Sequence, residues 1–62
     1  MTFRVTTQVG KNAAREEFSD LHEAEKLFLE EVAEVLQSEF VGEVFLSKVD
    51  GRWVTSLARF KG

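Results

Sequence analysis

Few side chains in this 62-residue chain are able to do chemistry, and their spacing decides what kind. His22, the single histidine, stands among Asp20 and Glu23, where an imidazole beside carboxylates suits proton transfer. No cysteine or tyrosine accompanies it, and no GxSxG-like elbow presents a nucleophile. Ser19 and Asp20 are better used as caps of a helix that begins there, which makes His22 a first-turn surface residue. Glu23, Glu30 and Glu34 share one side of that helix, as a cation site or a glycosidase acid pair would require. Such sites need ligands converging from two elements, or a cleft that raises one carboxyl's pKa, and a lone solvent-facing helix provides neither. Lys26 and Glu30 add a helical ion pair worth a few tenths of a kcal/mol. The run VGKNAAR holds only the GK dipeptide of a phosphate loop that needs GxxxxGK[ST], so turn formation explains it. With zero cysteines and one histidine, thiolate and multi-histidine metal sites are excluded, and a non-catalytic protein without metal or cofactor is expected.

Binding chemistry is better represented. Arg4, Lys48, Trp53 and Arg59 combine cations with an indole, the ingredients of a sheet platform on which a single-stranded nucleic acid stacks its bases. Such platforms usually offer two or three aromatic residues, and their domains are basic. This chain has a net charge of -3, divided as +3 over residues 1 to 15, -8 over 16 to 39 and +2 over 40 to 62. The same neighbourhood supports a second reading: Val44, Leu46, Trp53 and Leu57 form an apolar patch rimmed by Lys48, Arg59 and Arg4, the pattern of a protein interface with an aromatic anchor. Leu29, Ala33, Leu36 and Phe40 extend it along a helix margin. The expected partner is a second copy of the chain or a larger protein, with nucleic acid as the alternative. A blander explanation is that so short a chain lacks the room to hide every apolar residue.

The elements that must position these groups follow from periodicity. Residues 2 to 9, TFRVTTQV, alternate with period two and read as a half-buried strand. Gly10-Lys11-Asn12 supplies turn chemistry, and Ala13 to Phe18 reads either as a return strand or as a lead-in to the helix. The helix is predicted from Ser19 or Asp20 to about Glu39, with Asp20 and Glu23 spaced as a capping box and Gly42 as the stop. At about 100° per residue, Leu21, Ala24, Phe28, Leu29, Val32, Ala33, Val35, Leu36 and Phe40 fill an apolar arc, leaving Leu27 among polar neighbours. The following stretch, VFLSKVDGRWVTSLARF, reads as a hairpin around a two-residue Asp50-Gly51 turn of type I′. That register places Phe45, Val49, Val54, Ala58 and Phe60 beneath the helix, with Val41 beside them. It leaves Val44, Leu46, Lys48, Trp53, Thr55, Leu57 and Arg59 on the open face.

The expected architecture is α+β: one long amphipathic helix packed on one face of a three- or four-stranded antiparallel sheet, in the order β(β)αββ. No proline, linker or repeat interrupts the chain, so residues 1 to 62 read as a single domain. No apolar run approaches the roughly 18 to 20 residues of a membrane span, and MTFRVTT lacks the apolar core of a secretory signal, so a cytoplasmic protein is expected. Phe18 to Glu25, FSDLHEAE, resembles the strand-to-helix junction of many small bacterial and phage α+β proteins. The length and a strand-helix-strand-strand order are similar to those of dodecins, the small flavin-storing shells, without a shared motif.

Overall fold

In the computed structural model, which describes residues 1–39 and 41–62, the alternating runs become four antiparallel strands interrupted by one helix. They are β1 (Thr2–Val9), β2 (Asn12–Phe18), α1 (Leu21–Gln37), β3 (Gly42–Asp50) and β4 (Trp53–Lys61). The fold is thus α+β in the order ββαββ; residues 12 to 18 are a strand, so the chain departs from the strand-helix-strand-strand order of dodecins. The sheet order is β2-β1-β3-β4. Because β2 and β3 both run antiparallel to β1, they are parallel to each other, and α1 is the crossover of a split β-α-β unit.

Both hairpins close through a glycine followed by one cationic residue. Val9 opposes Asn12 across Gly10-Lys11, and Asp50 opposes Trp53 across Gly51-Arg52. Gly10 has φ 59° and Gly51 φ 60°, and no described residue other than glycine has positive φ. Glycine at the first central position is what a type II′ turn demands, so the expected type I′ turn on Asp50-Gly51 is replaced by a turn one residue later. A β-carbon would push either loop out of the left-handed region its strands require.

The larger correction concerns the faces. Val5 pairs with Leu46 and Thr7 with Val44, so these residues share one side of the sheet, and that side lies under α1. Val44 is 0% and Leu46 4% exposed; with Val5, Ala24 and Val35 they form the core, and are not part of an open patch. Phe45 and Val49 turn to the other face, paired with Thr6 and Thr2. Ala58 and Phe60 nevertheless do pack on the core as expected, opposite Leu46 and Val44. Strict alternation cannot satisfy both facts. The pairing resolves them by a bulge: Leu46 opposes Ala58, Ser47 opposes Ser56, and Leu57 is the extra residue between.

Asp20 caps α1, its Oδ1 accepting from the backbone N–H of His22 at 3.2 Å. The helix ends at Gln37, two residues short of the predicted Glu39, with Ser38 as its C-cap donating to the Val35 carbonyl at 3.1 Å. Gly42 is not the helix stop but the first residue of β3. A β-carbon there would meet the Gln8 carbonyl oxygen and Val9 Cγ2 at 3.0 Å, so glycine lets β3 and β1 start their ladder in close contact with Val35. Seen from the sheet, the buried stripe of α1 centres on Ala24 and Val35 with Leu27, Phe28 and Val32 beside them. Leu27, out of place on the sequence arc, is therefore a core-packing residue, and Leu29 and Leu36 are turned outward, 65% and 67% exposed.

Candidate functional site

A pronounced concavity lies between α1 and β4. Leu21, Glu25, Phe28 and Leu29 wall it from the helix, Leu57 and Ala58 from β4, and Leu46 lines its floor, enclosing about 410 Å³. Its existence follows from the layer geometry: one helix is too narrow to cover four strands, and α1 lies over β1 and β3 with β4 at the margin. The bulge supplies the far wall, since it turns Leu57 to the helix side together with Ala58. Glu25 is the single charged residue of the lining, and it is exposed. Two further exposed apolar groups stand on the same two elements: Leu36 two turns beyond Leu29 on α1, and Trp53, 75% exposed, on β4. Trp53 and Thr55 share the helix side of the sheet with Asp50 and Lys48, their cross-strand partners. Concave, mostly apolar surface with one polar group at its edge can bind an apolar side chain and orient it by a single hydrogen bond.

Of the interface residues expected from sequence, Leu29 and Leu57 line this groove, whereas Trp53 and Leu36 are exposed on β4 and α1 outside its lining. Leu46 contributes only from beneath, Val44 is wholly enclosed, and Phe40 lies outside the described residues. Leu21 and Glu25 belong to the site although sequence reasoning placed Leu21 in the core and Glu25 nowhere. Their signal was present in the i, i+4, i+8 row Leu21-Glu25-Leu29, which reads as one helix margin.

The residues proposed for nucleic acid do not share a surface. Arg4 and Arg59 occupy the open face of the sheet, whereas Lys48 and Trp53 lie on the helix side. On the open face the cations are matched by carboxylates. Arg4 Nη2 donates to Glu17 Oε1 at 3.2 Å, while Glu43 approaches Arg59 at 3.7 Å and Lys61 at 3.8 Å. Arg59 also stands over the Phe45 ring, 5.5 Å from its centroid, shielding the aromatic group that left the core. Pairing thus dissipates positive charge where a phosphate backbone would need it.

The opposite flank of α1, toward β2, is built from other chemistry. Val5, Thr7, Ala14, Arg15, Glu16, Leu27 and Glu31 line a shallow depression of about 70 Å³. Glu31 is half-buried there; desolvation raises its carboxyl above the usual range, and Glu34, Glu30 and Glu16 raise it further against a lowering hydrogen bond from Thr7. A carboxyl of raised pKa can mark a general acid, but no imidazole or thiol faces it among the lining residues. His22, Glu23, Glu30 and Glu34 are exposed on α1. Among the described residues no three His, Asp or Glu side chains cluster closely enough to hold a metal ion, and no helix is long and apolar enough to cross a membrane. Compared with known proteins, the chain matches no family model, no curated protein and no solved structure.

Proposed function

We propose that the protein is a small non-catalytic interaction module that binds a protein surface, its own or that of a larger partner, through the flank where α1 meets β4. The observation that carries this reading is the groove itself: its walls are apolar but for Glu25, and the two elements that form them also expose Leu36 and Trp53, whereas the concavities on the β2 side are lined by several charged residues. An aromatic anchor beside a desolvated pocket is the usual arrangement of an interface hot spot. A cytoplasmic setting and an accessory or regulatory role suit the size and the lack of cysteine.

Light scattering or sedimentation across a wide concentration range tests the reading together with two substitutions. Trp53→Ala and Leu57→Lys are expected to weaken association or partner binding by at least about tenfold while circular dichroism stays that of the parent. If polar replacement of Leu29 and Leu36 together instead unfolds the chain, the flank serves the fold and the reading fails. Titration of Trp53 fluorescence with an oligonucleotide at low salt distinguishes the nucleic-acid alternative; that reading expects a salt-sensitive change, and the protein-binding reading expects none.

A further inference from the structure

We propose that the occupant of the groove is Trp53 of a second copy, brought there by antiparallel pairing of two β4 edges about a two-fold axis at Thr55. This rests on the reading of the α1–β4 flank as a binding surface, and it specifies the partner. Three observations lead to it. First, β4 is an edge strand whose half from Trp53 to Leu57 is exposed at every residue and carries no charge, proline or glycine. Natural edges are ordinarily blunted by such residues, and here Arg59 and Lys61 guard only the other half.

Second, one register pairs the whole of this half with like faces matched. Thr55 opposite its own copy puts Trp53 opposite Leu57 and Val54 opposite Ser56. Each pair then matches like face with like, helix side for Trp53, Thr55 and Leu57 and open side for Val54 and Ser56. Centring on Leu57 instead would oppose Val54 to Phe60 across different faces, and the bulge would sit against itself. In the Thr55 register no two charged residues are directly opposed. The indole lands beside the second copy's Leu57, at the wall of its groove, with Leu21 and Leu29 across from it. Glu25, the one charged lining residue, offers an acceptor for the indole N–H. The two-fold repeats the contact, so both grooves are filled at once.

Third, the area fits. The chain exposes 4653 Å², whereas a monomer of 7.1 kDa is expected to expose about 4,100 Å², an excess of roughly 500 Å². A standard interface covers about 800 Å² on each partner, which the excess and the backbone of one strand together approach.

The chain has no cysteine, so a single introduced thiol reports its own position. Directly opposed residues of an antiparallel pair lie about 4.5 to 5.5 Å apart at Cα, within disulfide range. Thr55→Cys, oxidised with glutathione disulfide at low micromolar concentration, is expected to give a covalent dimer at least tenfold faster than Arg15→Cys on the β2 edge. Sedimentation of the parent should show a dimer, and emission from its only tryptophan should shift to the blue as the dimer forms. Thr55→Lys should abolish both with circular dichroism unchanged. A dimer that Thr55→Cys does not trap faster than Arg15→Cys overturns the pairing while the wider reading stands. A monomer at about millimolar concentration also overturns the pairing; the wider reading falls only if the Leu29 and Leu36 double replacement then proves unable to fold.

Discussion

The two edges of the sheet, and the two flanks of the helix that overlook them, are made to opposite specifications. At the β2 edge three consecutive charges, Arg15, Glu16 and Glu17, occupy the strand, Glu17 is held by Arg4, and the two concavities between β2 and α1, of about 70 and 380 Å³, are lined by several charged side chains. At the β4 edge the first half of the strand is uncharged, the groove has one charged lining residue, and leucines face it from the helix. Both edges expose unpaired backbone, so only side chains distinguish them. An edge can be closed with charge alone; leaving the other uncharged confines the unguarded strand edge to one side.

The sharpest way to break the contrast is from below. Leu46→Ala should destabilise the fold by about 2 to 5 kcal/mol in denaturant titration, because Leu46 is core and groove floor together. Leu27→Ala, its half-buried counterpart on the β2 side, should cost less. Trp53→Ala ranks next, with at least about tenfold weaker association and a monomer stability within about 0.5 kcal/mol of the parent, since the residue is three-quarters exposed. Glu31→Gln sharpens the comparison on the β2 side. A carboxyl whose folded pKa is raised binds more protons in the native state, so its presence costs stability at neutral pH, and the cost disappears as pH falls through the folded toward the unfolded pKa. The Gln variant should therefore melt higher than the parent at pH 7 and equal to it near pH 3. Smallest is Glu17→Gln, which removes the Arg4 ion pair at an exposed site and should cost about 0.2 to 1 kcal/mol, diminishing with salt.

Much of this arrangement is legible in the residues. The period-two run of β1 and the Asp20 cap each carry a local physical cause and formed where that cause lies, whereas Asp50-Gly51 announced a turn whose register falls one residue later. The strand Asn12–Phe18 was ambiguous because its sequence alternates poorly; pairing with β1, not propensity, makes it a strand. The facing of β3 was not legible. Val44-Phe45-Leu46 is apolar at three consecutive positions, so only the choice of β1 partner, a long-range matter, decides which of them meets the helix. The same holds for α1, whose apolar arc is broader than the sheet it covers. Leu27 is drawn in and Leu29 left out by where β1 and β3 happen to lie. The groove arises from that mismatch between a wide arc and a narrow contact, which no local pattern records.

Leu57 has one further consequence. The ladder of β3 and β4 would run unbroken without it, since Leu46 opposite Ala58 followed by Ser47 opposite Ser56 and Lys48 opposite Thr55 is an ordinary succession of pairs. The wall of the groove is thus made from a residue that the sheet does not count. A chain one residue shorter at this point is expected to keep the other pairs and the buried core and to lose Leu57 from the wall, an outcome that circular dichroism and thermal melting of the deletion variant would check. If the groove binds as proposed, a change of length at this one position separates binding from architecture, with the surface open to reshaping while the ladder on either side stays in register.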